Sequence, residues 1–160
     1  MLKIKEVKTE EKGKLFFYNQ LYLHEMTNYY NDVPDENGFY TYGHFDEYFI
    51  DPKRKAYFIY NDNTIIGFFM LNPYSYFNKD VDYVLAEFTI FYNFRNHGYA
   101  KKIMNIIFNS YVGEWEIKYN EKNTIAKKLW NSITEKYHPT KRIYDTNEIV
   151  LIFNNKKSDL

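Results

Sequence analysis

Seven consecutive residues, Arg95-Asn96-His97-Gly98-Tyr99-Ala100-Lys101, bring together a guanidinium, a glycine and a small residue. They lie where the strand-forming run Phe88-Thr89-Ile90-Phe91 gives way to helical spacing. The first four N–H groups of a helix have no partner within it, and the helix dipole makes that end positive. A phosphate set there meets both needs. Gly98 lets such a ligand approach the backbone, and Ala100 keeps the next turn thin. Arg95 adds a charge-assisted donor, with Lys101 and Lys102 close by, so a pyrophosphate suits the junction. Without a ligand the same residues read as a tight turn with Arg95 in solvent. A Walker loop needs Gly-Lys-Ser/Thr and a dinucleotide fingerprint needs more glycines, so ATP and NAD fit poorly. Cysteine is absent, which removes disulfides, thiolate metal sites and a cysteine nucleophile. His24, His44, His97 and His138 have no metal-ligand spacing, so no metal is expected. No Ser-His-Asp arrangement can be picked out.

The elements around the junction follow from periodicity. Leu2 to Val7 alternates as a strand. Thr9 is a candidate cap for a helix carrying Leu15, Tyr18, Tyr22, Met26 and Tyr29 on one face and stopping near Tyr30, before the turn residues of NDVPDENG. GHFDEYFID reads as a short helix closed by Pro52. KAYFIY and TIIGFFML flank NDN as a hairpin. Tyr83 to Phe91 is a third strand of the middle region. Gly98 to Tyr111 is a helix with Ala100, Ile103, Ile107 and Tyr111 inward. EWEIKY is a strand, and Asn123 to Lys136 a helix with Ala126, Leu129, Trp130 and Ile133 on its face. RIY and EIVLIF close the chain as strands joined through Asp145 to Asn147. This order predicts a mixed sheet with helices on both faces, in the α/β or α+β class. The strand-helix-strand unit from Tyr83 to Tyr119 should cross over right-handedly and make its strands parallel.

At 160 residues, with no linker, repeat or low-complexity tract, residues 1–160 read as a single domain. Aromatics make up 21% of the chain, with 18 Tyr and 14 Phe, a bias that an A- and T-rich genome explains. Charge is balanced at 21 basic against 21 acidic residues, which argues against a nucleic-acid partner. PKRK at Pro52 to Lys55 reads as a solvated loop. The longest apolar run, Ile65 to Leu71, is too short to span a bilayer, and the first residues lack a signal peptide's apolar core, so no membrane association and a cytoplasmic location are expected.

FRNHGYAKKI resembles the Arg/Gln-x-x-Gly-x-Gly/Ala signature of the GNAT (Gcn5-related N-acetyltransferase) family, with Arg95, Gly98 and Ala100 at its fixed positions. KNTIAKKLW resembles that family's Asn-x-x-Ala-x-x-x-Tyr pattern through Asn123 and Ala126. Longer stretches on either side look like one bacterial subgroup of the family, and the resemblance covers nearly the whole chain. It implies a mostly antiparallel sheet of six to seven strands, with a V-shaped splay between central parallel strands. It implies acetyl-CoA as co-substrate and a small-molecule primary amine as acceptor. Ile90 would offer a backbone hydrogen bond to the pantetheine arm. The amides of His97 to Ala100 (through Gly98 and Tyr99), with Arg95, Asn96 and Lys101, would hold the pyrophosphate. Asn123 would reach the pantetheine arm, cap its helix, or do both.

In this family the amine attacks the thioester directly. Glu87, three residues before Ile90, resembles the family's general base; it reads equally as a structural ion pair or an anchor for the substrate ammonium. Trp130 stands where many relatives carry the tyrosine that protonates the leaving sulfur, and an indole N–H is not a usable acid. Trp130 then orients the thioester or fills core, and protonation falls to water or another tyrosine, Tyr119 among them. The same departure keeps open a catalytically inactive CoA- or acyl-CoA-binding module, and a phosphate-ligand domain unrelated to CoA is a third reading. The acceptor is expected near Met26 to Phe49, where Asp32, Asp35, Glu36, Asp46 and Glu47 accompany Tyr29, Tyr30, Phe39, Tyr40 and Tyr42. Acidic groups with aromatic walls would suit a cationic amine such as a polyamine, an amino sugar or an amino-acid derivative; a solvated acidic loop over aromatic packing explains the same residues. Monomer and homodimer both remain open, the C-terminal edge strands being able to pair between subunits.

Overall fold

The computed structural model describes residues 1–157. Seven strands form one sheet in the order β1-β2-β3-β4-β5-β7-β6. They are β1 (Leu2–Glu6), β2 (Lys55–Asn61), β3 (Thr64–Asn72), β4 (Tyr83–Ile90), β5 (Glu114–Asn120), β6 (Thr140–Asp145) and β7 (Glu148–Asn154). Every neighbouring pair is antiparallel except β4 and β5, which run parallel. The three α-helices are α1 (Lys12–Met26), α2 (Tyr99–Ser110) and α3 (Thr124–Thr134). Ile103, Met104 and Ile107 of α2 and Trp130 and Ile133 of α3 share one core with Phe69, Leu85 and Ile117 of the sheet. Leu15 of α1 packs on the opposite face with Phe58, Phe68 and Met70. β2 and β3 are apolar on both faces because both are covered, which is why their sequences show no alternation.

Local expectations differ from the structure at a few ends. Thr9 does not cap α1; Thr9–Glu11 form a 3₁₀ turn, and the Glu11 carboxylate accepts a hydrogen bond from the Lys8 N–H (3.1 Å). The helix ends at Met26, with residues 27–30 in turns. The expected helix of GHFDEYFID shrinks to one 3₁₀ turn, Asp46–Phe49. The NDN hairpin is present, with Asp62 in left-handed backbone (φ 52°), which aspartate tolerates.

Two features of β4 shape the cleft at the centre of the sheet. Its pairing with β5 covers only Tyr83–Leu85 against Trp115–Ile117. Beyond that point the strands part, leaving their C-terminal halves to line the cleft. Opposite β3, Met70 faces Glu87 and Leu71 faces Leu85, so Ala86 is an extra residue, a β-bulge. Strict alternation would put Glu87 on the face of Leu85, in the α2–α3 core. With the bulge, Ala86 packs toward α1 and Phe88 toward α2 and α3, so Glu87 turns to the α1 side.

Gly67 holds β3 close to the end of β4. A Cβ there would clash with the Thr89 carbonyl oxygen and lie 3.1 Å from the Ile90 Cα, both backbone atoms that cannot step aside. Gly67→Ala is expected to lower unfolding free energy by about 1–3 kcal/mol, the usual cost of overpacking. Urea denaturation checks this, and an unchanged midpoint would contradict the close approach.

Candidate active site

The phosphate-loop candidate is built by backbone handedness. Asn96 (φ 64°) and Gly98 (φ 74°) are left-handed, and His97 between them is not. Alternation of this kind turns successive N–H groups to one side and forms an anion-binding concavity. Gly98 is the N-cap of α2, and among the described residues no side chain caps that helix. α3 differs: Asn123 is its N-cap, and its Oδ1 accepts a hydrogen bond from the Ala126 N–H (3.1 Å). The amides of Tyr99, Ala100 and Lys101 thus lack helical partners and face a cavity of about 510 Å³. A Cβ on Gly98 would meet nothing within 4 Å, so the space above it is open.

Ile90, Arg95, Asn96, Gly98, Tyr99, Ala100, Lys101, Asn123 and Trp130 all border this cavity. His97 does not. Its Nδ1 lies 3.2 Å from the Phe94 carbonyl and its ring stacks on Tyr99 (5.4 Å between centroids). Arg95 folds back on the protein: its Nε donates to the Ile90 carbonyl (2.7 Å) and its Nη2 to Glu25 of α1 (2.5 Å). The Ile90 carbonyl is thus engaged by Arg95. Sequence reasoning missed Glu25, since 70 residues separate it from Arg95 and no local signal links them.

A second cavity of about 440 Å³ lies on the other side of the splay, toward α1. Tyr22, Met26, Tyr29, Phe88, Asn123, Ala126 and Trp130 border both cavities and mark where they meet. Glu87 lines the second one. Burial raises its pKa from an ordinary 4.5 to about 7, partly opposed by hydrogen bonds from the Tyr22 and Tyr42 hydroxyls and by the charge of Lys118. Burial, and then the Glu87 charge, push the Tyr22 and Tyr42 phenols well above their usual range, so both stay protonated as donors.

Trp130 is buried, with its ring edge-to-face with Phe88 (5.3 Å). Tyr119 borders the second cavity alone, and its hydroxyl accepts a hydrogen bond from Asn131 Nδ2 (3.2 Å). Of the residues that border both cavities, Tyr22 and Tyr29 carry hydroxyls. The expected acidic acceptor wall is mostly elsewhere. Asp32, Tyr29, Tyr30 and Tyr42 border the cavity; Asp35, Glu36, Asp46 and Glu47 do not. Asp35 binds backbone amides of its own loop, Asp46 pairs with Lys12, and Glu47 contacts His44. Phe39 packs on Phe16, and the Tyr40 hydroxyl meets His24.

Among the described residues, no helix is long and apolar enough to cross a membrane, and no three His, Asp or Glu side chains gather as they would for a metal ion. The fold is shared with an acetyltransferase from Thermus thermophilus (TM-score 0.70, 11% identity, covering 96% of this chain and 97% of that one). It is shared too with spermidine N-acetyltransferase from Vibrio cholerae in complex with CoA and spermine (0.62, 11%, 96% and 94%). A third is the Campylobacter jejuni N-acetyltransferase PseH in complex with acetyl coenzyme A (0.60, 15%, 98% and 100%). No curated protein matches the chain. The family model described as "Acetyltransferase (GNAT) family" matches residues 18–134, which run from within α1 through the splayed strands and the uncapped α2 to the end of α3; the chain belongs to the GNAT family of acetyltransferases.

Proposed function

We propose that the protein is an acetyl-CoA-dependent N-acetyltransferase that acts on a primary amine of a small molecule by direct attack. The observation that carries this is the meeting of two cavities at the β4–β5 splay. One is bordered by the uncapped N-terminus of α2, the other by a carboxylate with a pKa of about 7. The α2 amides and the Asn96–Gly98 turn would bind the diphosphate, and the pantetheine arm would run along Ile90 and Asn123 to Trp130. The amine nitrogen forms its bond to the thioester carbon as Glu87 takes its proton. A base near pH 7 is matched to that task. The C–S bond then breaks, and the thiolate takes a proton from water or from Tyr29, which borders both cavities. The solved acetyltransferases of similar fold support the reading, and two of them hold CoA or acetyl-CoA. A small molecule fits the 440 Å³ cavity beside Glu87.

Thiol release from acetyl-CoA across a panel of small amines tests this. Turnover with at least one amine is expected. Trp130 favours one other reading, a CoA-binding module without catalysis, because it supplies no acid where the family often has tyrosine. Tight CoA binding with no thiol release across the panel would select that reading.

A further inference from the structure

Resting on the acetyltransferase reading, we propose that the acceptor carries an anionic oxygen group, a carboxylate or a phosphate, besides its amine, and that Arg54 binds it. Arg54 borders the same cavity as Glu87. Its side chain is only 12% exposed, and its Nε, shielded from solvent, has no hydrogen-bond partner among the described residues. The nearest carboxylate, Asp51, approaches that Nε only to 3.5 Å. Asp51 is already used: its Oδ2 accepts from the Tyr74 hydroxyl (2.6 Å) and its Oδ1 from the Lys53 N–H (2.9 Å). A mostly buried guanidinium with a weakly held counter-ion is costly unless something else completes it.

Its surroundings suit an anion that presents two oxygens side by side. The guanidinium carbon lies 4.5 Å from the ring centre of Tyr74 and 5.5 Å from that of Tyr48, and both rings border the cavity. Cation–π contact of this kind does not use up the guanidinium N–H groups, which can still offer two parallel hydrogen bonds to a carboxylate or phosphate.

The other charges around the cavity do not compete for this role. Lys118 is paired with Glu148 (2.9 Å), which also accepts from the Tyr30 hydroxyl (2.9 Å). Asp32, at the rim, is exposed. Tyr48, Arg54 and Glu87 all border this one cavity. An acceptor held in that cavity would place its amine at Glu87 and its anion at Arg54. A plain polyamine would bring a second positive charge to Arg54 and be disfavoured.

Calorimetric titration of the protein–CoA complex with 4-aminobutanoate, 3-aminopropyl phosphate and 1,4-diaminobutane tests this, the first two separating carboxylate from phosphate. At least one anionic probe is expected to bind about 10-fold or more tightly than the diamine, the equivalent of one good charge-assisted hydrogen bond. Arg54→Gln should remove that preference and Arg54→Lys, which keeps the charge without the fork, should retain part of it. Both variants should bind CoA as the unmodified protein does, which shows that they fold. Stronger binding of the diamine, binding of neither anionic probe, or a preference that survives Arg54→Gln would each overturn the proposal. Failure of the unmodified protein to bind CoA would instead count against the acetyltransferase reading, and the probe preference of the protein alone would still decide the role of Arg54.

Discussion

Glu87→Gln is expected to lower kcat by about 10²- to 10⁴-fold, the range a positioned general base supplies, while making the protein more stable at pH 8. Both effects come from one cause. Burial raises the Glu87 pKa from 4.5 to about 7. Below about pH 4.5 the carboxyl is protonated in both folded and unfolded chains, and burial costs nothing through ionisation. As pH rises from 4.5 to about 7 the unfolded chain releases the proton that the folded chain keeps, so stability falls. Above about 7 the loss levels off, at about 3 kcal/mol for a shift of this size. Glutamine never ionises and escapes that loss. Melting curves of the two proteins should therefore coincide near pH ~4 and separate by pH ~7, with the variant higher. The log of kcat/KM of the unmodified enzyme should rise with pH to about 7 and then flatten, and that inflection should vanish in Glu87→Gln. If Glu87 only anchored an ammonium, KM would rise while kcat held.

Gly98→Asp should weaken CoA binding by at least about 100-fold, through lost charge-assisted hydrogen bonds and added repulsion. The fold should lose little by it. The new Cβ meets nothing within 4 Å, and aspartate at φ 74° costs about 1–2 kcal/mol. Gly98→Asn is the control: it has nearly the same shape and tolerates left-handed backbone, but is neutral. If Asn and Asp weaken binding equally, the effect is steric, and the claim that this turn receives an anion loses its support. Thermal shift with CoA distinguishes the two, since a ligand that binds only the native state raises the melting temperature more the tighter it binds.

Much of this site was legible in the sequence because its signals are local. A strand, a left-handed glycine and a helix without a capping side chain follow one another directly, and the Asn123 cap is equally local. The covered hairpin of β2 and β3 and the order of the elements are local too. What could not be read depends on register and long-range contact. The bulge at Ala86 shows only when β4 is laid against β3, yet it decides which face Glu87 uses. Tyr22 and Tyr42, which line the cavity with Glu87, come from distant parts of the chain, as does Glu25 at Arg95. The acidic residues after α1 read as an acceptor wall, but short polar loops bind their own amides first, as Asp35 does. Arg54 sits in a run of basic residues that reads as solvated, and only the nearby Tyr48 and Tyr74 rings reveal that it is mostly enclosed.

A crystal structure of the complex with acetyl-CoA tests the central claim most directly. The diphosphate oxygens should lie about 3 Å from the amide nitrogens of Gly98 to Lys101, with the thioester beside Trp130 and facing Glu87. A diphosphate bound anywhere else on the protein would contradict it.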